Sequence, residues 1–488
     1  MNKHVIVLGA GNAAFAAAVS ARQNGAKVTM IERAPEDEAG GNTRFTAGAI
    51  RCVYDGVDDL RAIMPDLTDQ EIDRTDFGSY TEADFFDDMG RVTDYRTDPD
   101  LCELLVTRSR ETMRWMKDCG IKFAPIWGRQ AFQVDGKFKF WGGLTVEAWG
   151  GGEGLYEGWQ AVAEKAGIKI RFGTRAVSLL VNDSGVIGVK LKSEGKSEDL
   201  LGEAVIIATG GFQANTEWRT RYLGPSWDLA KVRGTRFSTG DGLKMALDAG
   251  AMPYGNWSGC HAVGWERNAP EFGELSVGDG FQKHSYPFGV LINGLGQRFV
   301  DEGADFRNYT YAKYGREVLA QPGQFAWQIF DQKVAHLLRD EYRIKQVTKV
   351  TAQTLEDLVQ KLEDVDADAA LQTLQSYNAA VDDTNAFNPN IKDGRATVGL
   401  GLNKTNWANR LDEPPFEAYA ITCGITFAFG GLRSTNAGQV MDVDLAPING
   451  LYAAGEVIGG IFYGNYPGGS GLMSGAVFGK IAGLSAAA

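Results

Sequence analysis

The first 32 residues constrain the fold most strongly. Residues 5–8 are a short apolar run, typical of a strand buried on both faces, and they lead into the sequence GAGNAA at residues 9–14. Small residues predict a helix over residues 13–24, and residues 27–31 predict a second strand that ends at Glu32. This order of strand, glycine turn, helix and strand with a terminal acid is typical of a domain that binds a dinucleotide.

Each residue type in this motif has a physical reason. Gly9 permits the tight turn, Gly11 lets a pyrophosphate approach the backbone, and Ala14 lets the helix lie close to the strand. The Glu32 carboxylate can accept hydrogen bonds from a ribose diol. The neighbouring candidate cofactor contacts are Asn12, Ala13 and Arg33. The alternative is a glycine turn in an α/β fold that binds no cofactor.

Later glycine-rich stretches favour FAD over NAD. Residues 40–48 form a loop of glycines and small polar residues that can wrap a pyrophosphate, residues 204–211 predict a strand ending in ATGG, and residues 239–242 open a helical stretch. Residues 451–456 predict a strand with an acid at its tip. Residues 466–472 precede a small-residue helix whose N-terminus can stabilise negative charge on a reduced flavin. The candidate cofactor contacts here are Gly41, Asn42, Thr43, Gly48, Ala208, Thr209, Gly210, Asp241, Gly455, Glu456, Ser470, Gly471 and Leu472.

Together these motifs resemble the FAD-dependent fumarate reductase/succinate dehydrogenase flavoprotein family over nearly the whole chain. Within that family, residues 296–311 and 465–469 are most similar to the tricarballylate dehydrogenases. The resemblance implies an α/β fold with a discontinuous Rossmann-like FAD-binding domain at residues 1–250 and 395–488. An α+β capping domain, which would hold the substrate, is then expected at residues 251–394.

The family's chemistry implies hydride transfer between a substrate carbon and flavin N5, with a side chain that handles the partner proton. In fumarate reductases this side chain is an arginine shortly after an RFxxE stretch, which here occupies residues 298–302. Arg307 is the nearest arginine, one position beyond the family's spacing, and Phe306 occupies the strict position. The alternative is a surface arginine paired to an acid nearby. Tyr309 and Tyr311 are fallback proton donors, and Tyr309 is also a candidate substrate contact.

Further polar residues fall near the family's substrate contacts. His261 lies where the family places a substrate-binding histidine, although a lone histidine is more often structural. His284 lies close to the position of a proton-relay pair. Arg433 and Arg129 are candidate cationic contacts to the substrate, and each has a structural alternative.

Two departures from the family concern carboxylate binding. Fumarate reductases carry an arginine where this chain has Tyr466 and a histidine where it has Phe427, which disfavours simple fumarate or succinate. Residues 466–469 instead look like a stretch of 3-ketosteroid Δ1-dehydrogenases, in which a tyrosine polarises a ketone oxygen. Tyr466 is therefore a candidate catalytic residue beside Arg307 and His261. Its alternative role is an aromatic wall against the flavin.

Composition excludes several classes of function. The formal net charge of -13 argues against nucleic acid or an anionic membrane as the main partner. The five cysteines and four histidines show no metal-ligand spacing, so no metal, zinc site or iron–sulfur cluster is expected. No apolar run is long enough to span a membrane, which predicts a soluble, cytoplasmic protein. Since residues 40–50 contain no histidine, FAD is expected to be held non-covalently.

The sequence thus predicts an FAD-dependent oxidoreductase that dehydrogenates a CH–CH bond of a small polycarboxylate, with tricarballylate to cis-aconitate favoured. Because no haem or cluster motif is present, the electrons are expected to leave to a separate acceptor, a protein or a quinone-linked carrier. The alternatives are an enzyme resembling 3-ketosteroid Δ1-dehydrogenase, a reductase resembling fumarate reductase, and a flavin-binding sensor without catalysis.

Overall fold

The structure is a computed structural model that describes residues 3–488. Its α-helices are α1 (Asn12–Gln23), α2 (Val57–Ile63), α3 (Asp69–Asp73), α4 (Glu82–Val92), α5 (Pro99–Cys119), α6 (Trp127–Gln130), α7 (Gly151–Lys165), α8 (Thr216–Trp218), α9 (Asp241–Asp248), α10 (Arg307–Leu319), α11 (Leu355–Val359), α12 (Ala367–Ala380) and α13 (Ser470–Ala487).

The strands are β1 (His4–Leu8), β2 (Lys27–Ile31), β3 (Ala49–Ile50), β4 (Thr75–Asp76), β5 (Phe123–Pro125), β6 (Ala131–Val134), β7 (Lys137–Phe140), β8 (Val146–Ala148), β9 (Lys169–Arg171), β10 (Arg175–Asn182), β11 (Gly185–Ser193), β12 (Lys196–Leu201), β13 (Ala204–Ile207), β14 (Lys231–Val232), β15 (Pro253–Glu266), β16 (Val290–Ile292), β17 (Phe325–Phe330), β18 (Lys349–Ala352), β19 (Phe416–Leu432), β20 (Gln439–Met441) and β21 (Pro447–Ala453). The N-terminal strand, helix and strand match the sequence prediction to within one residue at each end.

The first large sheet has six strands in the order β20-β21-β13-β1-β2-β9. All neighbouring strands are parallel except β20 and β21, and the register aligns Val5 with Ala204 and with Val28. Because β1 and β13 lie between other strands and carry helices on their faces, their apolar side chains are buried almost completely. The sheet therefore joins strands from both ends of the chain.

Helices α1 and α13 pack against each other through small residues. Gly475, Gly479 and Gly483 recur every four positions, so they lie on one face of α13. A Cβ atom at Gly479 or Gly483 would overlap the backbone carbonyls of Ala13 or Ala17 on α1. These glycines let the two helices approach closely enough to cover the same face of the sheet.

A second sheet has the order β14-β19-β17-β16, with β15 and β18 also paired to β19. Helix α10 packs on β15, and a Cβ atom at Gly315 would overlap the backbone at Ala262. This contact holds α10 against the strand that carries His261, whose ring lies 4.9 Å from that of Tyr311 on α10. Strands β14 and β19 belong to this sheet but lie outside residues 251–394, so the predicted boundaries of the capping domain stay a prediction.

Candidate active site

A long cavity of about 270 Å³ runs from Glu32 to Tyr466. It opens where the parallel strands β1, β13 and β21 end, which is where ligands bind in open α/β sheets. The N-termini of α1 and α13 both face it. Neither helix has a side-chain cap, because Gly11 and Gly469 occupy the cap positions, and their first N–H groups are therefore available to a ligand.

The glycine turn after β1 shapes the diphosphate part of the cavity. Gly9 adopts a φ of 112°, and a Cβ atom there would overlap the carbonyl oxygen of Ala208, the residue after β13. The Asn12 N–H donates to Oγ1 of Thr43 over 2.9 Å, which fixes the 40–48 loop above the turn. The buried hydroxyl of Thr209 has no hydrogen-bond partner in the protein. This combination of an uncapped helix, a bare glycine turn and an unpartnered hydroxyl fits a bound diphosphate.

The far end of this region suits a nucleoside. Oε1 of Glu32 accepts from the Ala34 N–H over 2.7 Å, and burial raises the pKa of this carboxyl above its usual range. Asp241 forms ion pairs with Arg33 over 3.1 Å and with Arg175 over 2.7 Å. Both acidic residues line the cavity, and Glu32 leaves carboxylate lone pairs free for ribose hydroxyls.

The middle of the cavity lies between the 40–48 loop, β19 and the N-terminus of α13. Nδ2 of Asn42 donates to the Thr426 carbonyl over 2.6 Å, and its Oδ1 accepts from the Thr235 N–H over 3.0 Å. Glu456 accepts from the Ala428 N–H over 3.0 Å, and burial raises its pKa to about 7. The predicted residues Gly41, Gly210, Gly455, Gly471 and Leu472 line the same region, as do Gly11, Asn12, Ala13 and Ala208.

Arg307 lies in the cavity wall at the first position of α10, with 9% of its surface exposed. One guanidinium nitrogen is 3.2 Å from Nδ1 of His284, another donates to the carbonyl of Arg129, and Nε has no partner. The acids that could have held it on the surface are engaged elsewhere, since Asp305 pairs with Arg91 and Glu302 with Arg298. Burial lowers the pKa of Arg307, although the group stays a cation.

Two buried histidines line the cavity next to Arg307. Neither ring nitrogen of His261 has a hydrogen-bond partner, and Nε2 of His284 has none either. Burial, followed by nearby arginines, lowers the pKa of both rings well below the usual range, so both are neutral at physiological pH. A buried polar ring without a partner is costly unless a ligand supplies one.

Tyr466 lies against His261, with ring centroids 4.7 Å apart. Its hydroxyl shares a hydrogen bond with the hydroxyl of Tyr311, which projects from α10. Phe427 and Phe462 pack edge-on against the Tyr466 ring at 5.2 and 5.4 Å. Burial raises the pKa of Tyr466 well above its usual range, so the hydroxyl is protonated.

Sequence reasoning missed a buried ion-pair cluster in this wall. Asp279 accepts from Nε of Arg233 over 2.8 Å and from Arg129 over 3.0 Å. Gln282 also donates to Asp279 over 2.7 Å. Arg233 and Asp279 belong to no recognisable motif, and Arg233 follows the strand β14, which has only two residues and gives no sequence signal. Arg129 reaches the cavity as predicted, although one of its nitrogens is occupied by Asp279.

Two predicted substrate contacts do not line the cavity. The Arg433 guanidinium stacks on the ring of Tyr254 at 4.8 Å, beyond the far end of β19. The Tyr309 hydroxyl donates to Asp88 over 2.6 Å and lies 2.9 Å from the Gly142 carbonyl, on the other side of α10. The structure therefore does not bring either residue together with the other candidate substrate contacts.

Three predicted cofactor contacts lie behind the cavity. Ala14 is buried between α1 and the sheet, as its packing role requires. Gly48 lies against Gly151, where a Cβ atom would overlap backbone. The Ser470 hydroxyl donates to the Pro467 carbonyl and so holds the loop before α13. All three shape the cavity without facing it.

Within residues 3–488, no group of three or more histidine, cysteine, aspartate or glutamate side chains is arranged to hold a metal ion. All five cysteines are free thiols. Over the same residues, every helix is too short or too polar to cross a bilayer.

Comparison with known proteins adds the following. A family model described as "FAD binding domain" matches residues 4–472. A protein named probable fumarate reductase Ifc3, from Shewanella frigidimarina, is 29% identical, and the match covers 99% of this chain and 74% of the relative. A flavocytochrome c3 fumarate reductase, solved in its open conformation, superposes with a TM-score of 0.72 at 25% identity and covers 99% of this chain and 78% of its own. A 3-ketosteroid Δ1-dehydrogenase from Sterolibacterium denitrificans gives a TM-score of 0.75 at 19% identity, over 99% of both chains, and so shares the fold.

Proposed function

Since the chain belongs to the FAD binding domain family, we propose that it oxidises or reduces a carbon–carbon bond beside a carboxylate group of a small organic acid. The predicted fold class, a Rossmann-like FAD-binding domain with a capping domain, is confirmed, and so are FAD as the cofactor and the assignment as an FAD-dependent oxidoreductase acting on carbon–carbon bonds. FAD, when bound, accepts or supplies the electron pair of such a reaction.

The chain's own residues would hold FAD along the cavity. Glu32 would bind the ribose, and the N-terminus of α1 with Thr43 would bind the diphosphate. The uncapped N-terminus of α13 would stabilise negative charge at the flavin end. As no histidine lies in residues 40–50, we propose that FAD is held non-covalently. Precipitation of the protein with acid should then leave all the flavin in the supernatant.

Arg307 is the proposed proton-transfer residue, and its position is the observation that carries the proposal. It is a buried cation in the cavity wall that forms no ion pair with a carboxylate of the protein. Its positive charge can therefore pair with a carboxylate of the substrate. A guanidinium holds its protons strongly, but burial and the neighbouring Arg129 lower the pKa of Arg307. His284 accepts from the guanidinium through Nδ1 and orients it.

Electrostatics support an acid as substrate. At this end of the cavity, three arginines (Arg129, Arg233 and Arg307) face one carboxylate, that of Asp279, which leaves a formal charge of +2. This local charge attracts an anion although the whole chain carries -13. A substrate carboxylate bound there also lies close to Arg307, where it would stabilise charge that develops next to the reacting carbons.

The finer expectation is a polycarboxylate substrate, with tricarballylate oxidised to cis-aconitate. The first arm of the test measures this oxidation. The holoprotein is mixed anaerobically with tricarballylate, succinate or another saturated acid, and the visible absorbance of oxidised flavin is followed. In the opposite arm, chemically reduced holoprotein is mixed with cis-aconitate or fumarate. Loss of the band in the first arm, or its return in the second, supports the proposal and gives the direction. A flavin that responds to no acid in either arm contradicts it.

A second candidate function is dehydrogenation of a ketone beside a carbon–carbon bond, as in 3-ketosteroids. The observation that favours it is the hydrogen-bonded pair of Tyr311 and Tyr466, because a protonated phenol can polarise a ketone oxygen. A 3-ketosteroid that bleaches the flavin while all acids leave it unchanged would favour this candidate. In both cases we propose that electrons pass to or from a separate partner, a protein or a quinone-linked carrier.

A further inference from the structure

The end of the cavity around Tyr466 is lined by apolar rings. The rings of Phe427, Phe429, Phe462 and Tyr466, here called the aromatic wall, lie with neighbouring centroids between 5.2 and 6.0 Å apart. Leu144 and Ile461 extend this apolar lining. The wall therefore offers a flat, largely hydrocarbon surface of the kind that accepts a planar apolar group.

The aromatic wall has no cationic group that could pair with a second carboxylate. The Tyr466 hydroxyl shares one hydrogen bond with the Tyr311 hydroxyl, so this neutral pair has a single proton left to donate. Arg233 is the arginine whose charge acts on the Tyr466 hydroxyl. It already donates to Asp279 and, over 3.3 Å, to the hydroxyl of Thr426. An ionised carboxylate placed against these rings would lose its hydration without gaining a cationic partner, which is unfavourable.

The cation-rich end lies on the other side of two rings. The ring centroid of Tyr311 lies 4.8 Å from that of His284, which is hydrogen-bonded to Arg307, and 6.0 Å from that of Tyr466 in the wall. The ring centroid of His261 lies 4.9 Å from that of Tyr311 and 5.2 Å from that of Phe427. The cavity thus changes from charged to apolar across one pair of side chains.

His261 marks this junction as a binding position. It is 1% exposed, lines the cavity, and leaves both ring nitrogens without a partner in the protein. Because the ring is neutral, one nitrogen can donate to an oxygen of a ligand. A single carboxylate bound between His261 and Arg307 would satisfy both groups and direct the remainder of the molecule onto the aromatic wall.

We infer that the substrate is an acid with one carboxylate and a flat apolar substituent on the carbon–carbon bond that reacts, as in a 3-aryl-propenoate and its saturated form. The inference rests on the proposed function and narrows its substrate class from acids in general. In the reducing direction the π bond between C2 and C3 breaks and one C–H bond forms at each carbon. This consumes two protons and two electrons, which a reduced viologen dye supplies one at a time.

The test compares acids on the purified holoprotein without oxygen. Oxidation of reduced methyl viologen is followed with 3-phenylpropenoate, propenoate, fumarate and cis-aconitate. We expect kcat/KM for 3-phenylpropenoate to exceed that for each of the other three acids by about tenfold or more, because burying a phenyl ring against apolar side chains is favourable. As a readout independent of turnover, 3-phenylpropanoate should raise the thermal unfolding temperature of the holoprotein more than succinate does.

Two substitutions test the wall itself. Phe427→His and Tyr466→Arg place a polar and a charged group in it, and they should shift the ratio of kcat/KM from 3-phenylpropenoate toward fumarate by about tenfold or more. Phe86→His is the matched control, since Phe86 is exposed and lies outside the cavity lining, and it should leave the ratio unchanged. Retained flavin absorbance identifies variants that have folded.

The outcomes separate the two proposals. If fumarate or cis-aconitate reacts while 3-phenylpropenoate does not react and 3-phenylpropanoate does not stabilise the holoprotein, the inference is wrong and the proposed function stands. If no acid reacts or stabilises, both fail. If the wall variants fold but keep the wild-type ratio, the aromatic wall does not select the substrate and the inference is wrong.

Discussion

Nδ1 of His284 accepts a hydrogen bond from the guanidinium of Arg307 over 3.2 Å, on the wall of the cavity. A guanidinium can only donate, so Nδ1 must carry a lone pair and the single ring proton must lie on Nε2. Protonation of His284 would end this bond and place another positive charge among three arginines. The arrangement is therefore stable only while the ring is neutral.

This requirement sets the expected pH dependence. Burial and the neighbouring arginines lower the pKa of His284 well below 6.5, so kcat/KM should stay level from about pH 8 down to about pH 6.5. It should fall only at lower pH, as the proton reaches the ring. Below about pH 6.5 the unfolded chain binds a proton that the folded one does not, so the free energy of unfolding should also fall. A kinetic midpoint near pH 6.5 that disappears in His284→Gln would contradict this.

Replacement of Arg307 should stop chemistry without loss of the cofactor. Arg307→Gln removes the proposed proton-transfer group, and kcat should fall by about 10²–10⁴-fold. Flavin absorbance and the thermal unfolding temperature check that the holoprotein is intact. Lys313→Gln, on the exposed face of the same helix, is the control and should keep the wild-type rate. An Arg307→Gln variant as active as Lys313→Gln would remove Arg307 from the mechanism.

Glu32 should determine FAD affinity. Its buried carboxylate would lose hydrogen bonds to the ribose in Glu32→Gln, and the Kd for FAD should rise by about tenfold or more, because hydrogen bonds to charged groups are worth about 1.5–3 kcal/mol. Quenching of flavin fluorescence on titration into the apoprotein measures this. Glu36→Gln, nearby and exposed, should bind FAD as the wild type does. Equal affinities in the two variants would show that Glu32 does not contact the ribose.

Tyr309 should affect stability and leave substrate binding alone. Its hydroxyl donates to Asp88, which also accepts from the fully buried Arg51 over 3.2 Å. Loss of this bond in Tyr309→Phe should lower the free energy of unfolding by about 1–3 kcal/mol in urea titrations of the holoprotein. Tyr95→Phe, at an exposed position, should have no effect. A raised KM with unchanged stability would instead return Tyr309 to the substrate site.

The cofactor cradle could be predicted from sequence because its signals are local. Gly9, Gly11 and Glu32 follow one another within one strand–helix–strand unit, and each has a backbone or charge role that only a few residue types can fill. The substrate wall has no such local code. Arg233 and Asp279 are 46 positions apart and meet only in the folded chain.

The positions of Tyr309 and Arg433 outside the cavity lining have geometric causes. On α10, Arg307 and Tyr311 are four positions apart and share a face, whereas Tyr309 is turned about 200° from Arg307. The sequence did not show that a helix starts at Arg307, so it did not show which residues of this stretch share a face. Arg433 and Phe427 are an even number of positions apart, so on a strand their side chains point to the same side. Six residues along a strand nevertheless separate the two by about 20 Å.

The contact between α1 and α13 also bears on when the protein can mature. Nδ2 of Asn12 donates to the Leu472 carbonyl over 2.8 Å, across 460 positions of sequence. During translation, the glycine turn and its helix therefore leave the ribosome long before the segment that closes over them. A nascent chain cannot enclose FAD until residues 466–475 have left the ribosome, so the glycine turn and its helix cannot complete the cofactor site when they first emerge.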